Sequence, residues 1–290
     1  MVSCKHLGDT DVQIPEIGLG TWKYQGDVTA LQKGLAEGAT FIDTAEIYGT
    51  EEIVGKAVRG IREQVFLATK VAPRHFRRGD LIAAAESSLR RLNTEYIDLY
   101  QLHWPNSRVP IEESVGALED LVDSGKIRFI GVSNFSLEEL RAAQAATTRH
   151  KIVSNQVRYS LIDRTVEREL LRYCEQNNIT VIAYSPLGTS FQQIRACDPN
   201  AVLAEVAVKA HKTEAQVALN WLIAKNNVVA IPQSSHASHV VENCGASGWR
   251  LSHSEYDRLE EEIRCAKRGP ARVALSKEKR RIYQFFGRQL

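Results

Sequence analysis

Four polar residues stand at or just beyond the ends of apolar runs that are typical of buried strands. Asp43, Lys70 and His103 each end such a run, and Tyr48 follows Asp43 by five residues. Burying an acid, a base and an imidazole beside apolar side chains is costly unless the groups pair with one another. The quartet therefore predicts a functional site rather than four solvated strand ends.

The residue types in this quartet point to carbonyl reduction. A tyrosine hydroxyl has a pKa of about 10, and we expect the Lys70 ammonium, held charged by Asp43, to lower the pKa of Tyr48 so that it acts as a general acid. An uncharged His103 would donate a hydrogen bond to a substrate carbonyl oxygen. Side chains cannot supply a hydride, so the chemistry implies a nicotinamide cofactor.

The elements that must position these residues repeat one unit, a short apolar run followed by an amphipathic helix. Eight runs lie near residues 18, 42, 67, 100, 130, 155, 182 and 230. We expect helices over 28 to 37, 51 to 60, 80 to 92, 112 to 124, 136 to 146, 164 to 177, 200 to 225 in two pieces, 237 to 246 and 254 to 265. Asp80 and Ser136 are the predicted caps of two of them, Ser136 with Glu139 as a capping box.

This repeat predicts an α/β protein with a (β/α)8 TIM barrel, in which the carboxyl ends of the strands gather the quartet. A doubly wound sheet is the alternative, but it would carry a GlyXGlyXXGly turn after its first strand. Here Gly18 and Gly20 lead into ThrTrpLysTyr without a third glycine. We expect one domain over residues 1–290, with a short N-terminal hairpin before Pro15 and an extra C-terminal helix and tail.

Composition sets the limits on partners and location. The 290 residues carry 37 Lys and Arg against 35 Asp and Glu, a net charge of +2 that gives no reason to expect nucleic acid or a membrane as a partner. Five cysteines without metal-binding spacing are interpreted as reduced thiols, with no metal site. No signal sequence or spanning stretch is evident. The sequence therefore predicts a cytoplasmic protein, a monomer or weak homo-oligomer.

The end of the chain is the local exception to this balanced charge. From Arg264 to Leu290 nine Lys or Arg residues face one acid, Glu278, with three aromatic residues among them, Tyr283, Phe285 and Phe286. A solvated tail over about 266–290 is one interpretation. A tail that folds over a ligand entrance, or that binds an acidic surface, is the other.

Many short motifs, in order along nearly the whole chain, resemble those of the aldo-keto reductase superfamily. They are GlyLeuGlyThrTrp at 18 to 22, PheIleAspThrAlaGluIleTyrGly at 41 to 49, LeuAlaThrLys at 67 to 70, AspLeuTyrGlnLeuHisTrpPro at 98 to 105, GlyValSerAsnPhe at 131 to 135, SerAsnGln at 154 to 156 and AlaTyrSerProLeuGly at 183 to 188. The resemblance implies that Asp43, Tyr48, Lys70 and His103 are a catalytic tetrad and that Tyr48 is the proton donor.

The same resemblance implies the binding residues. Ser133, Asn134 and Gln156 would bind the nicotinamide carboxamide, and Tyr184 would stack on the ring. The remaining cofactor contacts would come from Gly20, Thr21, Trp22, Asp43, Ser185, Leu187, Gly188, Ile231, Gln233, Ser234, Ser235, His239, Glu242 and Asn243. The substrate would meet Trp22, Tyr48, His103, Trp104 and Phe135.

One departure from the family pattern concerns the choice between NADP(H) and NAD(H). Relatives that bind NADPH commonly place a lysine after the IlePro pair and an arginine six residues later, as two cations for the 2′-phosphate. This chain has Gln233 and His239 instead, with His236 as a partial substitute. We therefore expect a relaxed cofactor preference, or one that leans toward NADH.

Three functions remain to be compared. The first is an NAD(P)H-dependent reductase of aldehydes and ketones, also able to run as an alcohol dehydrogenase. The second is a catalytically slow regulatory subunit that binds the cofactor, against which the intact quartet argues. The third is a barrel hydrolase, which lacks a HisXHis pair for a metal and two facing carboxylates for glycosidic cleavage.

Overall fold

Eight parallel strands form the barrel that the sequence predicts. The computed structural model describes residues 2–263 and 265. An antiparallel hairpin, β1 and β2, precedes barrel strands β3 to β10, which pair in chain order. The strands are β1 (Cys4–His6), β2 (Gln13–Pro15), β3 (Leu19–Gly20), β4 (Phe41–Asp43), β5 (Phe66–Val71), β6 (Ile97–Leu102), β7 (Ile127–Ser133), β8 (Ile152–Arg158), β9 (Thr180–Tyr184) and β10 (Val228–Ile231).

Helices connect the strands and cover the outside of the barrel. They are α1 (Val28–Ala36), α2 (Glu51–Ala57), α3 (Arg78–Leu92), α4 (Ile111–Asp123), α5 (Leu137–Ala145), α6 (Leu170–Gln176), α7 (Phe191–Ala196), α8 (Val202–Ala210), α9 (Glu214–Ile223), α10 (Ala237–Cys244) and α11 (His253–Glu262). The strand and helix alternation is confirmed at every predicted strand position.

The first and last barrel strands meet and close the sheet. The Gly18 N–H donates to the Ala230 carbonyl at 2.8 Å, and Gly20 forms a parallel bridge with Gln233. A Cβ on Gly20 would lie 2.7 Å from the Ile231 carbonyl oxygen, so only glycine permits this approach. The closure places the carboxyl ends of β3 and β10 side by side.

Apolar side chains fill the barrel, and the hairpin closes its amino end. Phe41, Phe66, Leu99 and Ile182 belong to one buried cluster inside the barrel together with Leu7 of the hairpin segment. A second and larger cluster lies between the strands and the helices. Side chains therefore fill the barrel interior up to the carboxyl ends of the strands, which leaves the barrel mouth at those ends as the place for a site.

One local prediction is wrong. Asp80 does not cap its helix, because α3 begins at Arg78 and Asp80 lies in its first turn. A short helix that the sequence analysis did not predict, α7, forms between β9 and α8. The capping box of Ser136 and Glu139 at the start of α5 is confirmed, with both reciprocal hydrogen bonds present.

The prediction that all five cysteines are reduced thiols is also wrong in this structure. Cys197 and Cys265 form a disulfide, with 4.7 Å between their Cα atoms, whereas Cys4, Cys174 and Cys244 are free. The two partners lie 68 residues apart and meet because α11 packs on α8. A pairing made by tertiary packing leaves no signature in cysteine spacing.

Other expectations fall partly or wholly outside what is described. The predicted basic tail over about 266–290, with Tyr283, Phe285 and Phe286, lies outside the described residues. Within 2–263 and 265, no helix combines the length and apolarity required to cross a membrane. The same residues contain no group of three His, Cys, Asp or Glu side chains that could hold a metal ion.

Candidate active site

Three of the quartet come from neighbouring strand ends, and the fourth comes from a turn beside them. Asp43 ends β4, Lys70 lies near the end of β5, and His103 follows β6. Tyr48 ends a short 3-10 turn, and Gly49 then adopts a φ of 69°, a conformation that favours glycine, before α2 begins. The Glu46 carboxylate ties this turn to the next strand by accepting the Ala72 N–H at 2.8 Å.

Lys70 is the centre of the quartet. Its side chain is fully buried, and its ammonium donates to Asp43 Oδ1 at 2.5 Å and to the Thr44 carbonyl at 2.8 Å. The third contact, to Tyr48 Oη, is longer at 3.5 Å. An ammonium has three donors, so these three acceptors match its hydrogen-bonding capacity. Asp43 therefore compensates the buried charge and directs Lys70 toward Tyr48.

Tyr48 and His103 face the same space at the mouth of the barrel. Tyr48 Oη lies 3.3 Å from His103 Nε2, and their rings meet edge to face with centroids 5.4 Å apart. Trp22, which is 44% exposed, packs against Tyr48 at a centroid distance of 4.9 Å. One small acceptor atom placed here would reach both polar groups.

Burial controls the protonation of the quartet. It lowers the pKa of His103 well below its usual value, and Lys70 adds to the effect, so the imidazole is neutral at pH 7 as expected. Burial also raises the pKa of Tyr48 well above its usual value, with Asp43 and Tyr184 contributing. The expected net lowering of the pKa of Tyr48 is therefore not found, because burial outweighs any contribution from Lys70, whose ammonium lies 3.5 Å from the Tyr48 hydroxyl. Burial lowers the pKa of Lys70 itself more than Asp43 raises it.

The residues expected to bind the nicotinamide lie beside the quartet and bond to one another. Ser133 Oγ donates to the Gln156 carbonyl at 3.0 Å, and Asn134 Nδ2 donates to the His103 carbonyl at 3.0 Å. Tyr184 Oη donates to Asn134 Oδ1 at 2.8 Å, which fixes its ring at the end of β9. These bonds hold one ring face and a set of amide groups at the edge of the site.

Several of the other residues expected to contact the cofactor lie together at the closure of the barrel. Thr21 is buried and donates to the Asp43 carbonyl at 3.0 Å. Gln233 donates to Ser235 Oγ at 3.1 Å, and the rings of His236 and His239 meet edge to face at 5.6 Å. Gly20, Ser234 and Asn243 line one small cleft with Leu19, Leu31, Pro232 and Val240. Ile231 ends β10 beside them, and Glu242 lies on α10.

The remaining predicted residues lie around the mouth and below it. Ser185 and Gly188 both have positive φ, 48° and 74°, and the Gly188 N–H donates to the Ser185 carbonyl, so they form a tight turn around Leu187 after β9. Trp104 is partly exposed after His103, whereas Phe135 is only 3% exposed. Their expected contacts with cofactor and substrate stay predictions.

One polar residue in the site was missed by the sequence reasoning. Gln101 is fully buried, and its Nε2 donates to Asp43 Oδ2 at 3.3 Å. It stands two residues before His103, so strand alternation places both side chains on the same face. A polar residue two positions before His103, on the same face of β6, was the signal that would have identified it.

Comparisons with known proteins show which family the chain is similar to. The sequence model described as the aldo/keto reductase family matches residues 16–264. The methylglyoxal reductase YeaE of Escherichia coli is 41% identical over 261 residues, which cover 86% of this chain and 91% of that protein. A 9,11-endoperoxide prostaglandin H2 reductase of Trypanosoma cruzi is 34% identical, with 86% and 88% of the two chains covered.

Solved structures are similar in fold and sequence. An aldo-keto reductase from Klebsiella pneumoniae in complex with NADPH has a TM-score of 0.85 and 38% identity, covering 92% of this chain and 97% of that one. A thermostable aldo-keto reductase in complex with the inhibitor epalrestat has a TM-score of 0.82 and 41% identity, covering 89% and 98%. At these identities the similarity extends beyond the fold.

Proposed function

The chain belongs to the aldo/keto reductase family, and on that premise we propose that it reduces aldehyde and ketone carbonyls to alcohols with Tyr48 as the proton donor. The observation that carries the assignment of Tyr48 is its position 3.3 Å from a neutral His103 and 3.5 Å from Lys70. Oxidation of the alcohol is the same reaction in reverse.

The donor set at the mouth fits a nicotinamide. A carboxamide requires both an acceptor and donors at fixed places, and the side chains of Ser133, Asn134 and Gln156 supply hydroxyl and amide groups there. The Tyr184 ring, held by Asn134, offers a flat face for stacking. Bound NAD(P)H supplies the hydride that no side chain can supply.

The quartet performs the proton chemistry. His103 Nε2–H and Tyr48 Oη–H both donate to the substrate carbonyl oxygen, which orients the carbonyl and polarises it. As the oxygen becomes an alkoxide it takes the proton of Tyr48, because an alkoxide is a stronger base than a phenolate. The Lys70 ammonium then stabilises the phenolate, and Asp43 keeps Lys70 in place. A high pKa keeps Tyr48 protonated, and so ready to donate, throughout the neutral range.

Small carbonyl compounds are the substrates that the mouth supports best. The relative from Escherichia coli is named for methylglyoxal, and the exposed Trp22 forms an open apolar wall beside Tyr48. We propose small aldehydes and α-dicarbonyls as the substrate class. A relaxed preference between NADPH and NADH is part of this proposal, supported by Gln233 and His239 in the place of two cations.

Location and assembly stay proposals as well. All four quartet residues come from one chain, so the chemistry requires no second subunit, which supports a monomer or weak homo-oligomer. The net charge of +2 supports the absence of a nucleic-acid partner. We also propose a cytoplasmic location. Disulfides are rare in the reducing cytosol, so the Cys197–Cys265 disulfide is the one observation that argues against this location.

The test is steady-state oxidation of NADPH and NADH with a panel of small aldehydes and dicarbonyls. Tyr48→Phe removes only the acidic hydroxyl, so we expect kcat to fall by about 10² to 10⁴ for every substrate, with NADH affinity unchanged. Tyr173→Phe is the matched control, because the Tyr173 hydroxyl donates to Gln144 on the outer helices. Wild-type rates for Tyr48→Phe would exclude it as the acid.

A further inference from the structure

Gln101 lies directly beneath the quartet and has no role in the chemistry described so far. It pairs with Lys70 across β5 and β6, so the two side chains share the interior face of the barrel. Its Nε2 lies 3.3 Å from Asp43 Oδ2, and its Oε1 lies 3.4 Å from Gln156 Nε2. The buried amide of Gln101 therefore contacts both Asp43 of the quartet and Gln156, which is expected to bind the nicotinamide.

The two oxygens of Asp43 face different partners. Oδ1 accepts from Lys70 at 2.5 Å, whereas Oδ2 accepts from Gln156 Nε2 at 2.7 Å and from Gln101 Nε2 at 3.3 Å. A carboxylate that pairs with an ammonium only accepts hydrogen bonds. Each amide must therefore present its nitrogen to Asp43, and the orientation of both amides is fixed.

This fixed orientation has a consequence for the cofactor. Because the Gln156 nitrogen is committed to Asp43, the carbonyl oxygen of the same amide is turned away from Asp43. Gln101 Oε1 accepts the second N–H of that amide, which opposes an exchange of its nitrogen and oxygen ends. An acceptor oxygen at this edge is what the N–H groups of a carboxamide require.

We propose that Gln101 is a positioning residue for the reduction, which holds Asp43 toward Lys70 and holds Gln156 with its carbonyl oxygen presented to the nicotinamide carboxamide. The inference rests on the roles proposed above for Asp43 and Gln156. In this arrangement the Asp43 carboxylate and the nicotinamide subsite belong to one hydrogen-bond network. A substitution at Gln101 would therefore alter the position of both.

The test compares two ligands that differ in the nicotinamide. Gln101→Met keeps an unbranched side chain of similar length and removes both polar atoms. We expect the Kd for NADH, measured by quenching of tryptophan fluorescence, to rise about fivefold to tenfold, the effect of one lost buried hydrogen bond. The Kd for ADP-ribose, which lacks nicotinamide, should stay at the wild-type value, and kcat should fall about tenfold.

A double-variant cycle identifies the route of the effect. If Gln101 acts through Gln156, then Gln156→Met and Gln101→Met will raise the Kd for NADH by less than the product of their separate factors. Tyr100→Phe is the control on the same strand, because Tyr100 packs in the outer cluster and leaves the site unchanged. If Gln101→Met does not fold, Gln101→Asn replaces it, since its shorter amide cannot span both partners.

Each outcome decides the proposal. Equal weakening of NADH and ADP-ribose would indicate a merely structural role, and unchanged NADH affinity or a fully multiplicative cycle would also overturn it. Failure of the proposed function is a different result. In that case Tyr48→Phe would keep its turnover, whatever the effect of Gln101→Met on NADH affinity.

Discussion

At the scale of single residues, the site depends on charges that are buried and compensated. Lys70 and Asp43 form an ion pair in the upper layer of the barrel, and His103 is kept neutral beside them. A charged His103 would add a second buried cation beside Lys70. A neutral His103 is therefore needed both to keep the Lys70–Asp43 ion pair stable and to donate a hydrogen bond to the substrate carbonyl.

This arrangement predicts how stability depends on pH. The pKa of His103 is lower in the folded protein than the value of about 6.5 in an unfolded chain. Below that value the unfolded state binds a proton that the folded state does not, so His103 lowers the free energy of unfolding as pH falls, by up to about 1.4 kcal/mol per pH unit. At pH values above about 6.5, His103 is neutral in both states and no longer affects the free energy of unfolding.

Urea unfolding at pH 7, 6 and 5 measures the effect. His103→Gln removes the titrating group, and we expect its stability to fall less steeply with decreasing pH than that of the wild type. His253→Gln is the control, because His253 is exposed at the start of α11, and it should keep the wild-type slope. Equal slopes for the wild type and His103→Gln would contradict the assignment of a neutral His103.

At the scale of elements, the segment from β10 to α10 determines what the cofactor site can distinguish. Residues 231 to 243 contain no Lys or Arg. The Gln233 amide bonds to Ser235, and His236 and His239 pack on each other. The 2′-phosphate of NADPH carries a charge of roughly −1.5 to −2 at pH 7, as other phosphate monoesters do. This segment offers no permanently charged cation to pair with it.

We therefore expect the Kd values for NADPH and NADH to differ by less than about tenfold at pH 7.5, which is 1.4 kcal/mol. Gln233→Lys should favour NADPH by about tenfold or more, because a charge-assisted hydrogen bond to phosphate contributes about 1.5 to 3 kcal/mol. Gln233→Met is the neutral control. A wild-type protein that binds NADPH more than tenfold tighter than NADH would contradict this prediction.

At the scale of the whole molecule, the last described helix ties distant parts of the chain together. Arg258 of α11 forms an ion pair with Glu205 of α8 at 3.0 Å, and Lys225 lies 3.8 Å above the ring of Trp221 near Tyr256 of α11. The Cys197–Cys265 disulfide adds a covalent link from the end of α7 to Cys265, three residues beyond the last residue of this helix. Both ends of the link lie within the last third of the chain.

The disulfide predicts how many free thiols the denatured protein has. Without reductant the denatured protein should expose three thiols, from Cys4, Cys174 and Cys244, and after reduction five. Closing a loop over a separation of 68 residues stabilises the fold by about 4 kcal/mol in the chain-entropy account. Cys197→Ser should therefore lower the melting temperature under non-reducing conditions, to a value that reductant does not change. Cys4→Ser, at an exposed free thiol, is the control, and five thiols without reductant would contradict the pairing.

Much of this protein is determined by the sequence itself. Apolar runs alternating with amphipathic helices specify a (β/α)8 barrel, since each strand buries its apolar residues only between neighbouring strands and covering helices. The same periodicity places Asp43, Lys70 and His103 at one end of the barrel. These features are local in the chain, and for that reason single-sequence reasoning finds them.

Tertiary structure decided the properties that depend on contacts between distant segments. Burial, not the neighbouring Lys70, sets the direction of the pKa shift of Tyr48. Gln101 became part of the site only when β4, β6 and β8 came together around Asp43, and Cys265 met Cys197 only when α11 packed on α8. Desolvation and hydrogen-bond geometry depend on the whole surroundings of a group, which the order of residues along the chain does not show.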